Sequence, residues 1–241
     1  MVALAVAFVV ILELLISLNL FSITITPNFG WYVFCGFCLA LSVIAPGMSF
    51  STLLMPLGLY TPFVEGILEA LDLYHPPVPL VWNTSGYETV ETLRRLEGVM
   101  DVYLPDLKHF SPRMGQLCAK APDYFEVASA AITEMVRQVG APQYDEDGIM
   151  RRGVLIRHLI LPGLTGESIA LLDWVHDHLP GIPVSLMRQY VPLNGVDIPG
   201  LTRTITPREY RRVRDHMRAL ELPGYEQEAA SASEDFVPLF G

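Results

Sequence analysis

Apolar and polar positions alternate in two different ways along this chain. Met1 to Phe21 is almost wholly apolar, with Glu13 and Asn19 its only strongly polar interruptions, and Trp31 to Tyr60 contains no charged residue at all. Between them lies a polar turn, Thr24 to Gly30, around Pro27 and Asn28. Runs of about 20 apolar residues match the hydrocarbon thickness of a bilayer. The first section therefore predicts two or three hydrophobic membrane-type helices, the second broken by Pro46-Gly47 and Pro56, because proline removes a backbone donor. Beyond Tyr74 the pattern changes to short apolar runs separated by segments with helical spacing.

Read in order, this second section predicts a strand over Val78–Asn83 ending in the turn Thr84-Ser85-Gly86, then a helix over Glu88–Glu97 with Val90, Leu93 and Leu96 on one face. A strand over Val99–Leu107 follows, and then a helix over Asp123–Val139 carrying Phe125, Ala128, Ile132, Met135 and Val136. Gly153–Leu161 reads as the third strand, Gly166–His178 as its helix, and Val184–Val191 as the fourth strand. Thr206 before Pro207 marks the start of a last helix, with proline at its first turn. Strands alternating with helices predict parallel α/β architecture. Four such units are too few for an eight-stranded barrel, so an open or incomplete one is expected.

Charge sharpens the division. All 16 basic residues, and 22 of the 26 acidic ones, lie from Tyr74 onward. Two domains are expected, a membrane-helix segment over 1–73 and an α/β domain over 74–241. The first would contact membrane lipid through residues 1–60, making the chain membrane-associated. No basic residue flanks the apolar runs, and Arg94 and Arg95, the first basic residues of the chain, lean toward a cytoplasmic second domain. The absence of a basic n-region and of a clear cleavage site favours an anchor over a secretory signal. A net charge of −10 argues against nucleic-acid binding. Three cysteines cannot build a disulfide framework.

Chemistry is sought at the C-terminal ends of the strands, where parallel α/β proteins carry their sites. Those ends read Asn83-Thr84-Ser85-Gly86, Asp106-Leu107-Lys108, Arg157-His158 and Gln189-Tyr190, a polar group beyond each apolar stem. His158 is more simply a hydrogen-bonded strand-end histidine than a base or ligand. Asp145-Glu-Asp147 before Gly148 lacks the further ligands of a calcium loop and reads as a solvated turn. Cys35-x-x-Cys38 sits among Phe, Trp and Leu, where cysteine serves as a small apolar residue.

Two resemblances follow from particular segments. Ala45-Pro-Gly-Met-Ser-Phe-Ser-Thr-Leu-Leu-Met-Pro-Leu-Gly-Leu-Tyr60 resembles the Pro-Gly-x-Ser segment of a bacterial membrane family implicated in undecaprenyl phosphate translocation. From about Val78 onward the chain resembles the later part of radical S-adenosylmethionine proteins related to pyruvate formate-lyase-activating enzymes. The carrying segments are Leu80–Tyr87, Asp101–Lys108, Ala121–Val127, Asp145–Gly153, Leu155–Gly163 and Ser185–Tyr190. The second resemblance implies a radical-SAM-type partial barrel, S-adenosylmethionine and a [4Fe–4S] cluster as cofactors, and a protein substrate. It implies that Asn83 meets the ribose, that Asp106 and Lys108 flank the amino-acid portion or substrate, and that Arg157 and Tyr190 line the same mouth. The 241 residues contain no Cys-x3-Cys-x2-Cys loop, which supplies the cluster's thiolates in that family. The expected protein is thus a fragment of a radical SAM activating-enzyme-like protein, inactive alone. The alternatives are a translocase-type membrane fragment and a non-catalytic protein that binds a ligand or a partner.

Overall fold

The computed structural model describes residues 28–31, 33–35, 60–73, 76–192, 198 and 200–227. The chain divides into two compact units, Met1–His75 and Pro76–Gly241. In the first, residues 29–31 and 33–35 are helical, and the Asn28 carboxamide oxygen accepts from Trp31 N (3.2 Å) as a helix-start cap. Helix α1 spans Tyr60–Leu73.

The second unit runs β1 (Val81–Thr84), α2 (Val90–Arg95), β2 (Val102–Pro105), α3 (Pro112–Met114), a π-turn (Gly115–Ala119), α4 (Tyr124–Val139), β3 (Gln143–Tyr144), β4 (Met150–Val154), β5 (Ile156–Leu159), α5 (Thr165–His178), β6 (Val184–Met187), α6 (Pro207–Ala219) and β7 (Gly224–Glu226). Helix starts follow local chemistry. Thr89 Oγ1 accepts from Thr92 N before α2. At α6, Thr206 and Glu209 bond reciprocally to each other's backbone, and Pro207 sits where its missing N–H costs nothing. Helix α4 stops where Gly140 takes positive φ, and α5 stops at Pro180-Gly181.

Two sheets result. One has the order β1-β2-β4-β3 and the other β5-β6-β7. All pairings are parallel except β3 with β4. Strands β4 and β5 are separated only by Leu155; the first pairs with β2 and the second with β6. A single bridge, Asp106 opposite Arg157, joins the sheets. Gly153 is needed at this point: its φ is +129°, and a Cβ there would lie 2.5 Å from Pro142 Cα.

Registry separates two faces. Tyr103, Val154, Ile156, His158, Val184 and Leu186 are buried on one. Side-chain bonds from this face run to the helices, Tyr103 to Gln138 of α4 and His158 to Ser168 of α5. The opposite face carries Val81, Asn83, Leu104, Asp106, Arg157, Ser185, Met187 and Tyr225, all exposed or half-buried, and is covered at Val102 and Gly153. The core therefore lies between sheet and helices, and one face of the sheets stays open.

Two expectations are corrected. The strands do not form a radical-SAM-type partial barrel. The predicted third strand splits at Leu155, and its halves join different sheets, one of which ends in an antiparallel pair. Nor are membrane-type helices found: among the described residues no helix is long and apolar enough to cross a membrane. Helix α1 has 14 residues, including Glu65, Glu69 and Asp72. At 1.5 Å per residue it spans about 21 Å, short of a hydrocarbon core of about 30 Å. The membrane-associated placement is overturned with it. Met1–Phe21 and most of Trp31–Tyr60, including the segment resembling the translocase family, lie outside the described residues.

Candidate functional site

Parallel pairing brings the C-terminal ends of β1 and β2 together on the open face and sets Arg157, the second residue of β5, beside them. Asn83 lies opposite Leu104, and two residues further on Asp106 lies opposite Arg157. The Arg157 guanidinium donates to Asp106 Oδ1 through Nε (2.7 Å) and Nη2 (2.6 Å). Lys108 Nζ lies 3.4 Å from Asp106 Oδ2. One carboxylate thus holds two cations. The Asp106 side chain is 17% exposed, while those of Arg157 and Lys108 are 31% and 40% exposed. The cationic heads remain reachable, and the anion between them is mostly covered.

Of the residues singled out in the sequence, Asp106, Lys108 and Arg157 form this cluster. Asn83 is exposed on the neighbouring strand of the same face. Tyr190 lies beyond β6, half-buried, with its hydroxyl donated to Leu201 O (2.7 Å). That bond ties it to the following loop.

Sequence reasoning missed the group that shapes the cluster. The buried Tyr124 hydroxyl lies 2.9 Å from both Ser85 O and Asp106 O, and accepts from Lys108 N (3.2 Å). One phenol so fastens the turn after β1 to the end of β2. Its ring stacks on Tyr87 (centroids 5.9 Å apart) and meets His109 edge-on (5.5 Å). Burial pushes the phenol's pKa up. Gly86 permits this closeness: its φ is +79°, and a Cβ would stand 2.3 Å from Asp106 O. No periodicity signals such a contact, because Tyr124 is 39 residues from Ser85.

Glu88 was also missed. It accepts a hydrogen bond from the Thr84 hydroxyl. Burial raises its pKa, against the smaller downward pulls of the Thr84 hydroxyl and Lys108. His158 is buried, donates from Nδ1 to Leu107 O (2.6 Å) and accepts the Ser168 hydroxyl at Nε2 (2.8 Å). Both ring nitrogens are engaged and burial lowers its pKa, so it braces the end of β2 as a neutral ring. His109 is buried beside it, its pKa lowered to about 4 by burial and then by Lys108. Asp145 accepts from Asp147 N, Ile149 N and Arg151 Nε, closing its own turn.

The expectation of an iron–sulfur site is corrected. Among the described residues, no group of three or more His, Cys, Asp or Glu is placed to hold a metal. Cys118 stands in the π-turn, Cys35 belongs to the first unit, and Cys38 lies outside the described residues. A cubane needs a set of thiolates gathered on one loop, and the residues present do not fit it.

No known family profile matches the chain, and no solved structure matches it significantly. An uncharacterized protein of Methanocaldococcus jannaschii is 30% identical over 154 residues. The match covers 63% of this chain but only 41% of that protein, so the chain spans about two fifths of the length of this relative.

Proposed function

We propose that the second unit binds S-adenosylmethionine, or a close analogue, at the strand ends of its open face without cleaving it. The observation that carries this reading is the Arg157–Asp106–Lys108 cluster with Asn83 on the adjacent strand. S-adenosylmethionine presents a carboxylate, an ammonium and a ribose diol. The exposed parts of the Arg157 and Lys108 cations suit the carboxylate, and the Asn83 carboxamide can both donate to and accept from a diol. Support comes from the resemblance to radical SAM activating enzymes over segments that contain these residues.

Reductive cleavage in that family is the work of the cluster, and the donors for one do not fit here, so no bond-breaking step is assigned to this chain. Its own residues bind and orient. Tyr124 fixes the Asp106 and Lys108 backbones, and His158 fixes Leu107 between them. Any activity on a protein substrate belongs, in this reading, to a longer protein of the kind the chain resembles.

Isothermal titration of S-adenosylmethionine into the full chain tests the proposal. Saturable binding is expected, weakened about tenfold or more by Arg157→Ala or Asn83→Ala, a loss of about 1.4 kcal/mol per tenfold. No binding, or affinity indifferent to both substitutions, would overturn it.

A further inference from the structure

Beyond Lys108 the chain turns into the interior at His109. That side chain is 6% exposed and meets the Tyr124 ring edge-on (5.5 Å). Among the described residues, neither of its ring nitrogens has a hydrogen-bond partner. Buried polar groups are nearly always paired, with protein or with ordered water. The polar groups nearby are already engaged. His158 uses both ring nitrogens, on Leu107 O and the Ser168 hydroxyl. Glu167 Oε2 accepts from Phe110 N (3.0 Å) and Ser111 N (2.9 Å).

Beside His109 lies a small chamber. Lys108, His109, His158, Glu167 and Ser168 form its polar side, and three leucines form the other. Its volume is about 10 Å³ as traced by the centre of a water-sized sphere, about the least that admits one water molecule. Size therefore excludes a larger ligand. Cavities that stay dry are lined by apolar groups, whereas a bound water needs two to four polar partners. These walls supply them. Burial and then Lys108 lower the His109 pKa to about 4, so at neutral pH the ring carries one N–H and one bare nitrogen. Glu167 keeps Oε1 as a further acceptor. The Ser168 oxygen, whose proton goes to His158, keeps its lone pairs.

We propose that this chamber is a binding site for a single water molecule, held between His109, Glu167 and Ser168. The water gives the buried imidazole the partner that the protein does not. It also joins the segment after β2 to the first turn of α5, where Glu167 already binds the Phe110 and Ser111 amides. His158, at the third wall, comes from β5. One molecule thus ties together three parts of the chain that lie up to 60 residues apart, Lys108 to Ser168. The site is separate from the strand-end cluster: its walls include Lys108 but neither Asp106 nor Arg157.

The test is water relaxation dispersion on the full chain, compared with His109→Phe, which keeps a ring against Tyr124 but has no nitrogen. The loss of one long-lived water in the variant is expected. Equal dispersion in the two chains would overturn the proposal. A second measurement needs no substitution and decides alone should the variant fail to fold. In the unmodified chain, cross-relaxation between water and the His109 ring protons is expected, and xenon should leave the His109 signals unmoved. No transfer from water, or xenon entering the chamber as it enters a dry cavity, would overturn the proposal. Both measurements are made without ligand. Their failure therefore leaves the S-adenosylmethionine reading standing, and the reverse holds too.

Discussion

Tyr124 does most to decide the shape of the strand-end cluster. Replacing it by phenylalanine keeps the ring against Tyr87 and His109 but removes the donor to Ser85 O or Asp106 O and the acceptor of Lys108 N. Leaving such groups unpaired costs about 1–3 kcal/mol. Tyr124→Phe should lower the denaturation midpoint accordingly and speed hydrogen exchange at the Lys108 amide; unchanged exchange would mean the hydroxyl is not the clamp. Gly86→Ala should be at least as harmful, because it adds a clash with Asp106 O to an unfavourable φ. His109 gives a pH signature. Its folded pKa of about 4 lies below the ordinary 6.5, so the unfolded chain binds its proton more readily. The stability due to this group is complete above about pH 6.5 and declines as pH falls toward 4. NMR titration of His109 should show a midpoint near 4, and one near 6.5 would contradict the packing described. Asp106 and Lys108 could be chosen from the sequence because they follow an apolar strand; Arg157, chosen as a strand end, is instead the second residue of β5. Tyr124 could not, since its role depends on where a distant helix begins.

Elements differ in how clearly the chain announces them. Helices α4, α5 and α6 carry their own boundaries: a helical apolar stripe, a Pro-Gly stop, and Thr206 with Pro207 and Glu209. Thr206→Ala should cost about 1 kcal/mol, visible as a lower thermal midpoint, and an unchanged midpoint would show that Glu209 holds the helix start through Arg203 and Gly163 alone. Strands were legible as apolar runs, but their pairing was not. Nothing around Leu155 distinguishes one strand from two that join different sheets. The two-residue β3 and the three-residue β7 are too short to show a period of two, and β7 is held by a partner far back along the chain. The long apolar runs of the first section suggested membrane helices by hydropathy alone. Helix α1, with three acidic residues in 14, shows how the pattern changes before Tyr74.

At the scale of the whole molecule, the helices and sheets of the second unit enclose one core and leave one sheet face open, with ion-paired polar groups at the strand ends and apolar groups below them. The proposed ligand site sits where those ion-paired groups meet the open face. A bound ligand that favours the folded state should raise the thermal midpoint in proportion to its occupancy. The most direct test incubates the full chain with S-adenosylmethionine, iron, sulfide and a strong reductant, then separates protein-bound from free nucleoside. The account predicts intact S-adenosylmethionine retained by the protein and lost from Arg157→Ala. Release of methionine and 5′-deoxyadenosine, or no retention at all, would contradict it.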